Sequence, residues 1–327
     1  MSLCLKAKPS PTFMEFEEMT FDNATVDLDF TPEIDDLYHG NHTSLRTPLV
    51  PTHKAIVHPD GNVLGVVGKG YRVIPNTELF SNMDDAIHNN LSTSAIDTMQ
   101  VIDTKVRGYA KTYREIRFPE ISRPIETDSH KTDVGFRIII ENSFDGSGSV
   151  KILLGAIDFY CSNGMVHGQY DVFKKVHKGN VPVPSFEGMF VKALEQYSDK
   201  MDLYQNWAST KLSDKAVHNF VSALFPTTKK NDDPEWINVR PYSNLGDSLI
   251  EQYATESHTR GQNLWSLYSA MTYYSSHDSD MFSLNTMAKD QDNDQERLAR
   301  RSDKVTGWLN SKAWSDLTAF PVSGIAA

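Results

Sequence analysis

The sequence predicts an α+β fold: an antiparallel β-sheet built from hairpins with an inserted helix, followed by a C-terminal helical region. Three observations predict it. Turn signals flanked by β-branched runs crowd the first half of the chain, apolar residues recur at helical spacing beyond Pro184, and strands precede helices rather than alternating with them. The 327 residues allow one large domain or two, and a hydrophobic content of 39% with 10% aromatics is that of a globular chain.

Residues 1–50 read as an acidic, partly ordered arm. Pro9 and Pro11 precede residues 14–36, which hold nine carboxylates and neither Lys nor Arg. The apolar residues there, Phe13, Met14, Phe16, Met19 and Phe21, follow no clean period.

Residues 51–183 read as a β-rich core with regular structure starting near Lys54. The run 54–58, the turn His58-Pro59-Asp60-Gly61 and the run 62–67 form a hairpin. Residues 68–74 read as a strand entered through glycines. Pro75 ends it, and Asn76 is placed to cap a helix that carries Leu79, Phe80, Met83 and Ile87 on one side. Residues 99–118 read as one extended strand. The runs 134–142 and 150–164, joined by a Gly/Ser turn, give another hairpin, for five or six strands in all.

Residues 184–284 read as a helical region packed on the sheet. Phe186, Met189, Phe190, Ala193, Leu194, Tyr197 and Met201 recur at three- and four-residue steps, and three more helices are expected over 215–225, 244–257 and 263–277. Residues 285–327 read as a charged tail with Trp308 and Trp314 near its end.

Composition and motifs exclude several functions. No run approaches the ~20 apolar residues of a membrane span, and the first residues lack a signal-peptide core, so a cytoplasmic protein without membrane partners is expected. Cys4 and Cys161 make neither a disulfide framework nor a four-cysteine zinc site. Gly68-Lys69 imitates a phosphate-binding loop, but Val63 stands in place of its first glycine and Gly70 in place of its Ser/Thr. Asp290, Asp292 and Asp294 imitate a calcium loop, yet Gln295 replaces the turn glycine and Arg301 the closing glutamate. Cys161 near His167 reads as a small buried hydrophobe closing an apolar strand. No enzyme, metal or cofactor is expected.

The net charge of −11 opposes wholesale coating of a polyanion, but residues 103–180 carry twelve Lys/Arg against ten Asp/Glu. Within the strand expected over 99–117, odd positions carry Lys105, Arg107, Tyr109, Lys111, Tyr113 and Arg117. Even positions carry Ile102, Val106, Gly108, Ala110 and Ile116, with Arg114 the one cation. Cations neutralise phosphates, and each stacked base adds ~1–3 kcal/mol, which suits a single-strand binder. An ordinary wet face of an antiparallel sheet has the same composition.

Three segments carry a family resemblance: residues 70–80 (GYRVIPNTELF), 138–166 with their Asn and Asp-Gly turn and Cys-x-Asn-Gly ending, and 263–280 with Trp265, Thr272, Tyr274 and His277. In this order they resemble the phage/plasmid-like family catalogued as domain of unknown function 932. Ala156-Ile157-Asp158 stand where that family often has an arginine ahead of its cysteine. The resemblance implies work on mobile-element nucleic acid. The hairpins followed by a helix are also similar to the Rad fifty-two-like annealing proteins, which act without ATP as rings or filaments. This implies a single-stranded DNA partner, a homo-oligomer, and phage replication or recombination proteins as further partners. Lys105, Arg107, Lys111 and Arg117 would then bind phosphates, with Arg137 and Lys151 on neighbouring strands, while Tyr109 and Tyr113 stack on bases. Asn163 and Gly164 would shape a turn. The competing expectation is a non-enzymatic protein that binds a host or phage protein through its acidic arm and helical half; a metal nuclease is a third.

Overall fold

The computed structural model describes residues 26–39, 48–158, 164–165, 171–179, 183, 185–226, 243–276 and 294–319. These residues form two antiparallel sheets and eight helices, the α+β architecture expected.

The smaller sheet has the order β1 (Glu33–Tyr38), β2 (Leu49–Val57) and β3 (Val63–Gly68). The expected β2–β3 hairpin is present. Its turn closes with Gly61 N–H donating to His58 O at 2.8 Å, and Gly61 takes the left-handed φ of 92° that a glycine adopts without strain. The strand expected over 68–74 reduces to a single bridge between Tyr71 and Lys178. Tyr71 turns inward instead: its hydroxyl donates to Ser143 O at 2.6 Å and its ring stacks on His177 at 4.6 Å.

Helix α1 (Asn76–Asn90) buries Leu79, Phe80, Met83 and Ile87 as their spacing requires, and α2 (Thr93–Asp97) follows. Asn76 does not cap α1. It is buried, donating to Leu28 O at 3.0 Å and accepting from Thr112 at 3.1 Å and Asn142 at 2.8 Å. A polar side chain in the core is retained because each of these bonds replaces one to water.

The larger sheet contains β4 (Gln100–Val106), β5 (Lys111–Glu126), β6 (Lys131–Ser143), β7 (Val150–Asp158), β8 (Gly164–Met165) and β9 (Asp171–Lys175). They run in the order β4-β5-β6-β7-β8, with β9 also paired to β7. The single strand expected over 99–118 is therefore two strands. The chain reverses through Arg107, Gly108 and Tyr109, all left-handed, with φ of 52°, 59° and 73°. Ala110 N–H closes this turn on Arg107 O at 3.2 Å.

Helices α3 (Glu187–Ser209), α4 (Asp214–Leu224), α5 (Asn244–Arg260) and α6 (Leu264–Ser276) carry the expected periodic segments. Phe190 and Tyr197 of α3 meet Phe136 of β6 edge-on, both at 5.9 Å, so α3 covers one face of the large sheet. Helix α6 is buried on nearly every side. Its Ser266, Thr272 and Ser275 hydroxyls each donate to a backbone carbonyl.

Two assignments at the ends need correction. Part of the expected arm belongs to the fold: Leu28 and Phe30 are buried, and β1 pairs along β2. The expected charged tail contains α7 (Asp294–Leu309) and α8 (Lys312–Ala319). Val305, Leu309 and Trp314 are buried there, and Trp314 meets Trp207 at 5.3 Å. The apolar anchors sit among many charges, which disguises the amphipathic pattern. Residues 14–25, Cys4, Cys161, Asn163, His167, Asp290 and Asp292 lie outside the described residues.

Candidate nucleic-acid interface

Antiparallel partners share a face, so the register decides which side chains meet. Lys111, Tyr113, Glu115 and Arg117 of β5 pair with Ser143, Glu141, Ile139 and Arg137 of β6. Arg137, Ile139 and Glu141 pair in turn with Gly155, Leu153 and Lys151 of β7, and Lys151 with Lys174 of β9. This face is left half-exposed, while Ile116, Phe118, Phe136, Ile138, Ile152 and Leu154 are buried on the other under the helices. The open face thus gathers Lys111, Tyr113, Arg117, Arg137 and Lys151 from the expected set.

Of the remaining three, Lys105 and Tyr109 do not join them, and Arg107 does so only from the turn at the end of the sheet. Lys105 pairs with Thr112 and so lies on the opposite face, where its Nζ sits 4.1 Å from the Tyr109 ring centroid. Tyr109 is packed between the two sheets: its ring stacks on His58 at 4.6 Å and meets Phe30 at 5.6 Å. These contacts engage the ring within the protein. Arg107 stands in the turn, 3.5 Å from Asp145, and points to the same end of the face as Lys111. The reversal at 107–110 inverts the odd/even parity on its two sides, which is why Lys105 and Lys111 part company. Arg114, the cation among apolar residues, binds Asp103 through two bonds of 2.8 and 2.7 Å and lies over the Phe80 ring at 3.6 Å.

Electrostatics divide the open face into two zones. In the middle, Glu115 accepts from Arg117 Nε at 2.9 Å and Arg137 Nη1 at 3.2 Å. Burial disfavours its charge, but the two guanidinium groups outweigh burial and hold the Glu115 carboxyl below its ordinary value. Arg117 and Arg137 are therefore engaged within the protein.

The second zone is a groove at the end of the sheet with a volume of about 560 Å³. Five cations reach it: Arg107, Lys111, Lys151, Lys174 and Arg300; Glu141 and Asp303 are its two carboxylates. Lys151 Nζ is 3.0 Å from Glu141. Ser143, Ser147 and Ser149 contribute hydroxyls, and Tyr113 contributes the aromatic surface. Asp145 sits behind Ser147 and accepts from its backbone N–H at 2.8 Å and from Ser143 Oγ at 2.7 Å. Although burial opposes charge there, these bonds and nearby Lys111 hold the Asp145 carboxyl below its ordinary range.

Lys174 and Arg300 carry no mark in the sequence. Lys174 is placed only by the pairing of β9 with β7. Arg300 arrives from α7, far away in the chain, and no local pattern distinguishes it. Among the described residues no cluster of His, Cys, Asp or Glu is suited to a metal. No helix among them is long and apolar enough to cross a membrane.

Fold and face together define a two-sheet α+β protein with a cationic groove on the open side of its larger sheet. The chain belongs to the family described as "Domain of unknown function (DUF932)", which it matches over residues 63–304. No curated protein and no solved structure matches it.

Proposed function

We propose that the protein binds single-stranded DNA in this groove and anneals complementary strands without ATP, as a mobile-element protein of recombination or replication. The observation that carries the proposal is the convergence of Arg107, Lys111, Lys151, Lys174 and Arg300 beside Tyr113, despite the net charge of −11. Cations at that density neutralise successive phosphates, and a tyrosine gives a sequence-tolerant stacking surface. The family resemblance to mobile-element proteins supports the biological setting.

The test is fluorescence anisotropy with a labelled single strand across a salt series. Lys111→Glu with Lys151→Glu should weaken binding at least tenfold, and the slope of log affinity on log salt should shrink by about one for each phosphate no longer neutralised. Lys105→Glu, on the opposite face, should leave affinity within about twofold. Annealing is read separately, as the rate at which complementary strands pair. Salt-independent binding, or equal weakening in both variants, overturns the reading.

A further inference from the structure

We infer that α7 makes the groove selective for a single strand: Arg300 holds a backbone phosphate from a helical wall while Lys111, Lys151 and Lys174 hold the strand from the sheet. The inference rests on the groove being the proposed single-strand site and adds the element that disfavours duplex. Its basis is the composition of the second wall.

Arg300 and Asp303 lie on α7 one turn apart and both line the groove, the only described lining residues contributed by a helix. The wall is anchored. Val305 and Leu309 are buried, and the Arg301 guanidinium lies 5.1 Å from the Tyr274 ring centroid. Trp308 meets Phe225 at 4.9 Å and Tyr274 at 5.1 Å. A helix fixed in this way presents Arg300 at a set distance from the sheet, so the groove cannot widen without disrupting core packing.

Its volume of about 560 Å³ falls in the ~300–1,000 Å³ range of small-ligand sites. That is nucleotide scale. A single strand can bend its backbone to run between the two walls, which a duplex, stiff over many base pairs, does less readily. Asp303 adds discrimination, because a second phosphate run brought alongside the first would meet a carboxylate.

The experiment measures anisotropy of one short labelled oligonucleotide as a single strand and as a duplex, for the full chain and its variants. Wild type should prefer the single strand at least tenfold. Arg300→Glu should weaken single-strand binding about tenfold and reduce the preference, while Lys304→Glu, the same charge change on an exposed α7 residue that does not line the groove, should alter affinity less than about twofold. Arg300→Gln keeps much of the side-chain length and should give an intermediate weakening, so the test survives if charge reversal disturbs α7. If Arg300→Glu and Lys304→Glu weaken binding equally, or duplex binds as tightly as the single strand while Lys111→Glu still weakens both, the selective wall is overturned and the groove stands. If wild type binds neither form, both readings fall together.

Discussion

Asn142 donates from Nδ2 to Asn76 Oδ1 at 2.8 Å inside the hydrophobic core, joining β6 to the first residue of α1. The same Nδ2 also reaches Ile74 O at 2.9 Å. Two buried asparagines thus satisfy the chain where it passes from the small sheet into the helix, and the inner face of the large sheet is held in place behind its open face.

Asn142→Ala should lower unfolding free energy by about 1–3 kcal/mol, because Ile74 O and one lone pair of Asn76 are left without their buried partner. Chemical denaturation measures it. Binding per folded molecule should change far less than stability, since Asn142 lines the groove but its side-chain amide is bonded inward to Ile74 O and Asn76.

A Cβ placed on Gly65 would lie 2.4 Å from the Asp145 Cα, a backbone atom that cannot rotate aside. Gly65→Ala should therefore cost about 1–3 kcal/mol of stability by forcing β3 off the β6–β7 turn. Thermal unfolding of the variant should show the destabilisation, whereas Gly68→Ala, where a Cβ meets nothing within 4 Å, should show little.

Glu115 holds Arg117 and Arg137 on the open face, and its depressed pKa makes it a source of acid-sensitive stability. Its contribution is complete above the ordinary glutamate value of 4.5 and is lost as pH falls through the lower folded value. Glu115→Gln should remove that part of the acid dependence. At neutral pH it should also strengthen single-strand binding severalfold, since two guanidinium groups are freed from their internal carboxylate. Unchanged binding would mean that bound DNA does not reach the middle of the sheet.

His177 is buried, with Nδ1 2.9 Å from Arg72 O and no partner for Nε2 among the described residues. Burial pushes its pKa below the ordinary 6.5, against the opposing pull of the Arg72 carbonyl and Asp145. The folded state favours the neutral ring, so its contribution is full above pH 6.5 and declines as pH falls through the folded value. His177→Phe should keep the stacking on Tyr71 and flatten stability against pH below about 6.5. An unaltered pH profile would show that another group governs this range.

The hairpins are legible in the sequence because their signals are local: Pro59-Asp60-Gly61 and Asp145-Gly146 encode turns in adjacent residues. Helix α1 is legible from its spacing. The reversal at Arg107–Ala110 is not, because Arg107 and Tyr109 are poor left-handed residues by themselves and only Gly108 advertises a turn. Tyr109 is held there by His58 and Phe30 from outside the large sheet, a stabilisation no local window contains. The open face is half-legible for the same reason. Alternation within β5 correctly groups Lys111, Tyr113 and Arg117, and it fails at the turn. Leu28 and Phe30 are hidden by the acidic residues around them, and the α7 wall by its distance along the chain.

Strand β1 and strand β2 precede residue 63, where the family match begins, yet β2 is the sole sheet neighbour of β3 among the described residues. A fragment trimmed to the matched region would begin at the first residue of β3 and leave that strand without any ladder. It would also strip Ile56 and Phe30 from Phe144, and Leu28 O from Asn76. Such a fragment presents a bare edge flanked by Val63 and Val66, both already exposed, which is a template for pairing with other copies. The shared family segment and the paired small sheet therefore have different starting points, and a fragment begun at Val63 loses the only ladder that β3 has among the described residues.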